Sequence, residues 1–157
     1  MSRLHKYALK SKVGLVRIEF EGEKFLFNLA KEVRIVRLHL DREIIEHPPI
    51  YGFLTTLHKK LILKTKEAEL ELEKVCAERF LFYLMSTKSR YYKDMGATPN
   101  STTAKELVKK DIEYLKIAQE CIKLNGNKEI IEACVKAFEQ RAFLLQTLSA
   151  NNRKQIN

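Results

Sequence analysis

The fold is decided by residues 50–92, which read IYGFLTTLHKKLILKTKEAELELEKVCAERFLFYLMSTKSRYY. The stretch has no proline and only one glycine, Gly52, and its apolar residues recur mainly at steps of three and four. This pattern predicts one helix of about 43 residues, roughly 60 Å long at about 1.5 Å per residue. Pro48-Pro49 comes just before it, and because proline disfavours helix in the preceding residue, we expect the helix to begin near Ile50.

Two further helices are predicted after a break at residues 95–100. Thr103 and Glu106 have the spacing of a capping box, and the apolar residues that follow mark one face of a helix ending at Asn125-Gly126. A third helix is expected over residues 131–150. Because a long helix needs partners along its length and the connections are short, both should pack antiparallel against it.

The start of the chain has a different periodicity. Apolar and charged residues alternate over residues 16–20 before the turn-like Glu21-Gly22-Glu23, and residues 24–28 supply a return arm. This pattern predicts a β-hairpin, and a second alternation over residues 36–40 is compatible with a third short strand. Because a lone hairpin is marginally stable in water, it must pack on the helices or on a neighbouring subunit.

These patterns predict a mainly α fold, in which a long helix packs with an antiparallel helical pair and a small N-terminal β-hairpin precedes it. Residues 1–40 form a basic N-terminal arm with the hairpin, and residues 41–157 form a helical, oligomer-forming domain. The long helix offers more apolar surface than two shorter helices can cover. We therefore expect a homo-oligomer.

The balance of charge indicates an acidic partner. The 157 residues include 29 Lys and Arg against 20 Asp and Glu, a net charge of +9, which favours contact with nucleic acid or an acidic membrane surface. No apolar run approaches the roughly 18 residues that span a bilayer, and the basic start lacks a hydrophobic signal core. We expect a cytoplasmic protein that does not enter a membrane.

Residues suited to catalysis or metal binding are few. The sequence has no Gly-rich phosphate loop, HExxH motif, paired-carboxylate cluster or nucleophile elbow. Cys76, Cys121 and Cys134 form no C-x-x-C pair and are expected to be reduced and buried. The histidines stand apart, whereas zinc needs three or four ligands. We therefore expect a protein that is not an enzyme and that has no cofactor and no metal.

A first basic cluster lies in the long helix at Lys59, Lys60, Lys64 and Lys66. These residues could contact phosphates, and each neutralised phosphate would release counterions and steepen the salt dependence of binding. The alternative is a solvated helix face, partly offset by the acidic stretch at residues 67–73.

A second cluster, at residues 88–93, mixes cations with aromatic rings. Lys88, Arg90 and Lys93 alternate with Tyr91 and Tyr92, and no acid intervenes. Single-stranded nucleic acid binding uses this mixture, with cations along the phosphates and rings stacked on unpaired bases for about 1–3 kcal/mol each. The alternative is that the tyrosines pack under the turn.

Arg141 occupies an unusual position near the apolar stripe of the third helix, between Phe138 and Leu145. One interpretation is an arginine that extends from the edge of the core into solvent. The others are an ion pair with an acid across a subunit interface, or a contact with phosphate.

From Glu32 onward, about four fifths of the chain resembles the UvsY-like recombination mediators of phages. The resemblance rests on four features in chain order. A short extended segment is followed by an acidic-basic motif and then by a Pro and a Tyr. A Lys/Glu-rich helix ends at paired tyrosines with a nearby glycine, and a C-terminal helical pair follows. The matching positions are residues 33–40, Leu40-Asp41-Arg42-Glu43, Pro49, Tyr51, Tyr91-Tyr92, Gly96 and Arg141-Ala142-Phe143.

The resemblance implies a ring-like oligomer that binds single-stranded DNA and helps a RecA-type recombinase displace single-strand-binding protein, in the host cytoplasm if the protein is phage-encoded. It implies DNA contacts at Lys88 and Arg90, with Lys93 as an addition. Residues 1–31 have no counterpart in that family. The competing hypothesis is a non-enzymatic structural or adaptor protein that acts through protein–protein assembly.

Overall fold

The computed structural model describes residues 15–85 and 100–156, and the first of these ranges begins with the predicted β-hairpin. Strands β1 (Leu15–Phe20) and β2 (Glu23–Asn28) pair antiparallel through a turn in which Glu21 and Gly22 have φ of 53° and 79°. Two successive positive φ values match the right-handed twist of a hairpin, and glycine adopts them without strain. Phe25 of β2 packs on Phe53 with ring centroids 5.6 Å apart, so the hairpin lies against helix as expected.

The rest of the described chain is helical. Helix α1 covers Leu29–Glu32, a 3₁₀ turn covers Arg37–His39, and α2 covers Leu40–Met85. After the gap, α3 covers Ser101–Val108 and α4 covers Ile112–Ile156. The mainly α fold is confirmed, since a two-stranded hairpin precedes a long helix that packs against another helix.

The long helix begins ten residues earlier than predicted. α2 starts at Leu40, and the third strand expected over residues 36–40 is replaced by the 3₁₀ turn and the first residue of the helix. Pro48 and Pro49 lie inside α2, where each removes one backbone hydrogen bond. Both prolines are exposed, so water can reach the carbonyl groups that they leave without a helical donor. The prediction of a helix start near Ile50 was therefore wrong.

The break between the second and third predicted helices is also wrong, because α4 runs without interruption through Asn125-Gly126. Each flanking asparagine makes a tertiary hydrogen bond that favours the helical path. Asn125 Nδ2 donates to Glu69 Oε1 at 3.4 Å, and Asn127 Nδ2 donates to the Glu19 carbonyl at 3.1 Å.

A true break lies earlier, between α3 and α4. Asn100 is the N-cap of α3, its side chain accepting from the Thr103 amide at 2.8 Å, so the capping box predicted at Thr103 does not form. α3 ends at Val108, and Asp111 precedes α4. Asp111 Oδ1 accepts from the backbone amides of Glu113 and Tyr114 at 2.9 and 3.2 Å and satisfies groups that a helix start leaves free.

The described chain forms two compact units. One contains the described residues up to Lys60 together with those from Asn127 onward, and the other is Leu61–Gly126. The core of the first is made of apolar side chains from the hairpin and both long helices. Its buried members are Val16, Ile18, Phe20, Leu40, Leu54, Leu57, Ile131, Cys134, Val135, Phe138 and Leu145.

In the second unit, the end of α2 packs on α3. Tyr83 of α2 clusters with Ala104, Leu107 and Val108 of α3, and Tyr114 of α4 packs against them. The Tyr83 hydroxyl donates to Asp111 Oδ2 at 2.8 Å, so one carboxylate both caps α4 and holds the last turns of α2. Among the described helices, none combines the length and the apolar composition that a membrane crossing requires.

We expect Asp111→Ala to lower the free energy of unfolding by about 1–3 kcal/mol, because it removes the cap of α4 and the hydrogen bond between Asp111 and Tyr83. Urea denaturation followed by circular dichroism measures the loss. Glu120→Ala, an exposed carboxylate within α4, is the control and should change stability by less than about 0.5 kcal/mol. Equal losses in the two variants would contradict this role for Asp111.

Candidate nucleic-acid interface

The cluster with the strongest sequence signal for nucleic acid falls outside the described residues. Lys88, Arg90, Tyr91, Tyr92 and Lys93 belong to the gap between residues 85 and 100. Their proposed contacts with DNA therefore stay predictions from the sequence.

The first basic cluster begins in α2 with two exposed lysines of the first unit. Lys60 Nζ lies 4.0 Å from Glu21 Oε2, and the two side chains are 60% and 51% exposed. An ion pair this long and this open to solvent contributes about 0–1 kcal/mol, so a phosphate could replace the carboxylate at little cost. Lys59 is exposed and has no ion-pair partner within residues 15–85 and 100–156.

The cluster continues in the second unit with Lys64. Its Nζ lies 3.1 Å from Glu67 Oε2, one helical turn along α2, and both side chains are largely exposed. Lys66 is also exposed and forms no ion pair with another described residue. Glu67 of the acidic stretch therefore pairs with Lys64, as expected for a solvated helix face. Lys66 stays exposed and forms no ion pair with a described acid.

A second group of cations, which the sequence did not single out, surrounds the junction of α3 and α4. Lys105, Lys110 and Lys116 are exposed and pair with no acid among the described residues; we call them the junction lysines. Lys110 and Lys116 both line a groove of about 620 Å³ in the second unit.

The acids of this junction are already engaged. Arg79 of α2 forms ion pairs with Asp111 and with Glu113, and Glu106 accepts from Lys109 at 2.8 Å. In the sequence these acids alternate with the lysines and hide the local excess of positive charge. Only the fold shows that the junction lysines form no ion pair with an acid of residues 15–85 or 100–156.

Arg141 is buried, contrary to what a phosphate contact requires. Its side chain is 4% exposed, and the guanidinium pairs with the Glu43 carboxylate of the same chain and lies 5.9 Å from the centre of the Phe138 ring. Neither an extension into solvent nor an ion pair between subunits describes this geometry. The structure therefore gives Arg141 a place in the core of the first unit rather than in a DNA-binding surface.

His47 completes this buried cluster. Arg141 Nη1 donates to His47 Nδ1 at 2.9 Å, and the imidazole stacks on Phe138 and Tyr51 with centroids 5.6 and 5.8 Å apart. Since arginine can only donate, Nδ1 must be the unprotonated nitrogen. Burial lowers the pKa of His47, and the nearby charge of Arg141 lowers it further, so the ring is neutral and can accept this bond.

The described residues were expected to lack a metal site, and the thiols to be buried. Within residues 15–85 and 100–156, no three His, Cys, Asp or Glu side chains gather closely enough to hold a metal ion. Burial raises the pKa of the Cys121 and Cys134 thiols, which keeps them in the unreactive protonated form. The described helices do carry exposed cations, namely Lys59, Lys66 and the junction lysines.

Comparison of the chain with protein-family models, with curated proteins and with solved structures finds no match. The resemblance to UvsY-like mediators therefore stays a prediction based on the sequence pattern. The function has to be argued from the positions and charges of the chain's own side chains.

We expect Arg141→Ala to lower the free energy of unfolding by about 3 kcal/mol or more, because Glu43 is then left largely buried without its counterion. Chemical denaturation measures the loss. Arg153→Ala removes an exposed arginine from the same helix and should cost less than about 0.5 kcal/mol. An Arg141 variant as stable as the Arg153 variant would contradict the buried ion pair.

The lowered pKa of His47 makes stability depend on pH in a defined direction. The unfolded chain, in which the pKa returns to about 6.5, binds more protons than the folded chain, so stability is complete above about pH 7 and falls as the pH drops below about 6.5. His47→Gln removes the titrating group and should flatten this dependence between about pH 7.5 and 5.5 in urea titrations. His39→Gln, at an exposed histidine, should leave the slope unchanged; an equal slope in wild type and His47→Gln would contradict the assignment.

Proposed function

We propose that the protein is a non-enzymatic, oligomeric single-stranded DNA-binding mediator that helps a RecA-type recombinase load onto DNA covered by single-strand-binding protein. The observation that carries the proposal is the set of exposed lysines without acid partners among the described residues, on a chain of net charge +9. The pattern shared with UvsY-like mediators supports the more specific role in phage recombination.

The junction lysines are suited to holding a phosphate backbone. Lys110 and Lys116 line one groove together with Arg79, Asp111 and Glu113, and the ion pairs of Arg79 offset part of the negative charge of these two acids. Each phosphate that a lysine neutralises releases condensed counterions, which is the main source of affinity for nucleic acid. These contacts track the backbone and carry no sequence preference.

The residues of the 88–93 cluster would add the preference for single strands. Lys88 follows the last residue of α2, Met85, by three positions, and Tyr91 and Tyr92 come next in the sequence. Aromatic rings stack on unpaired bases, which a duplex does not offer. Cations from the junction and rings from this cluster would then act on the same strand.

Self-association would place several weak DNA-binding sites in one assembly. Once one protomer of an oligomer holds a strand, contacts with the next protomer become intramolecular, and overall affinity can exceed that of a single site by about 10²–10⁴. A strand held along several protomers would be presented in a fixed path on which the recombinase can nucleate. Single-strand-binding protein would be displaced because it competes for the same phosphates and bases.

A structural or adaptor role is the second candidate, and exposed apolar side chains favour it. Several large apolar residues of the long helices are more than half exposed, which marks surfaces for protein contact. These are Ile45, Leu63, Leu70, Leu81, Met85, Ile112, Ile122, Phe143 and Leu144. On this alternative, the cations keep the assembly soluble and no nucleic acid is bound.

Fluorescence anisotropy with a labelled single-stranded oligonucleotide distinguishes the two candidates. The wild type should bind at about 50 mM salt and lose affinity steeply by about 200 mM. Lys88→Ala/Arg90→Ala and Lys110→Ala/Lys116→Ala should each weaken binding, and each should reduce the logarithmic salt slope by about 1.4, since a single strand contributes about 0.7 per phosphate contact.

The control for this experiment is Arg153→Ala/Lys154→Ala, which removes two charges from the exposed end of α4. It should retain the affinity and the slope of the wild type. Absence of single-strand binding at about 50 mM salt would reject the DNA-binding proposal and leave the adaptor role. Equal effects of all three double variants would reject the assigned residues.

A further inference from the structure

A groove of about 350 Å³ lies within the first unit, between the start of α2 and the end of α4. Ile44 and Pro48 line it from α2, and residues from Ala142 to Arg153 line it from α4 at steps of about one turn. Because each residue of a helix rises about 1.5 Å, the groove runs for about 16 Å along α4. Its volume is at the lower end of the range of ligand pockets, about 300–1,000 Å³, and therefore suits a small elongated molecule.

His47 supplies a hydrogen-bond donor to this groove. It lines the groove, is 7% exposed and accepts from Arg141 through Nδ1, so its hydrogen must be on Nε2. Nε2 makes no hydrogen bond within residues 15–85 and 100–156. It is not one of the atoms of these ranges that are buried without a partner, which are Thr65 Oγ1 and Arg141 Nε, so it must open onto the groove. A largely buried imidazole is therefore left with a donor for a ligand.

Pro48 leaves an acceptor in the same turn of α2. Because proline has no amide hydrogen, the carbonyl of Ile44 lacks its usual helical donor. A hydroxyl group fits this pair, since it can accept from the imidazole N–H and donate to the carbonyl. Both groups lie at the Ala142 end of the groove, because His47 stacks on Phe138, which is one turn before Ala142 on α4.

The other end of the groove carries a cation. Arg153 lines it, is exposed and forms no ion pair with a described acid. No aspartate or glutamate is among the residues that line the groove. The acids next to its α2 wall are engaged, since Glu43 pairs with Arg141 and Glu46 pairs with Arg42. A carboxylate at this end would therefore meet a cation, with no acid in the groove lining to oppose it.

We propose that this groove binds an aliphatic ω-hydroxy acid. The carboxylate pairs with Arg153, the methylene chain covers the apolar side chains of Ile44, Leu145 and Ala150, and the hydroxyl lies between His47 Nε2 and the Ile44 carbonyl. This site is separate from the proposed DNA-binding surface, because the groove contains none of the lysines or tyrosines assigned to DNA.

Charge argues against other occupants of the groove. Residues 1–14 of this chain carry four cations and no acid, so they would bring like charge to Arg153. Residues 86–99 carry three cations and one acid and are disfavoured for the same reason. A phosphate backbone needs a row of cations, whereas this groove offers one cation beside apolar walls.

An NMR titration of the whole chain with 8-hydroxyoctanoate tests the site. We expect a Kd below about 1 mM and amide shift changes at residues 44–48 and 142–153. Octanoate lacks the hydroxyl and should bind about fivefold more weakly, and 1,8-octanediol lacks the charge and should bind about tenfold more weakly. Absence of 8-hydroxyoctanoate binding up to about 10 mM overturns the proposal. Equal affinity for octanoate overturns the role of His47 and the Ile44 carbonyl.

Substitution of Arg153 tests the orientation of the ligand. Arg153→Ala should weaken 8-hydroxyoctanoate binding about tenfold and leave 1,8-octanediol binding unchanged, because only the acid carries a charge. Arg153→Lys should restore most of the affinity for the acid. Lys154→Ala removes an exposed cation outside the groove and should leave both affinities unchanged. An Arg153→Ala variant that binds the acid as tightly as the wild type would contradict the assignment.

Filling the groove tests its location. Ala150→Trp places a large ring in the groove and should abolish binding of both compounds, whereas Asn151→Trp, at an exposed neighbour outside the lining, should retain it. Circular dichroism should show the same helicity in both variants. Binding that survives Ala150→Trp overturns the inference. If wild type binds neither compound and Ala150→Trp lowers the oligomeric mass in native mass spectrometry, the groove is a contact between copies and the ligand site is rejected.

Discussion

The ion pairs of Arg79 with Asp111 and Glu113 connect the fold of the second unit to its surface charge. Asp111 caps α4 and accepts the Tyr83 hydroxyl, so the end of α2 and the start of α4 are held by one carboxylate. Arg79 offsets part of the charge of these two acids, and Lys105, Lys110 and Lys116 around them are exposed and form no ion pair with a described acid. The interaction therefore stabilises the junction, and the exposed Lys105, Lys110 and Lys116 give it an excess of positive charge.

In the first unit, by contrast, a charged cluster is buried in the core. Arg141, Glu43 and His47 are enclosed, and a buried charge is tolerated only when its partners are in place. Stacking on Phe138 and a neutral imidazole complete the arrangement. An arginine in an apolar stripe can thus be a core residue, and the cations that remain for a ligand are those on exposed helical faces.

The hairpin and the long helix could be predicted because each depends on local periodicity and turn chemistry. The errors at Pro48-Pro49 and Asn125-Gly126 arose where tertiary contacts or solvent exposure outweigh local preference, as the hydrogen bond from Asn127 to the Glu19 carbonyl shows. The partner of Arg141 lies almost a hundred residues away in the sequence, and no local pattern identifies it. The junction lysines were missed for a related reason, since Arg79 engages their neighbouring acids only in the fold.

The central claim is that several copies of this chain hold one single strand. Native mass spectrometry with and without a single-stranded oligonucleotide tests it most directly. The account predicts a species at a multiple of the 18.4 kDa chain mass that gains the mass of one strand. A single 18.4 kDa species that is unchanged by the oligonucleotide would contradict it.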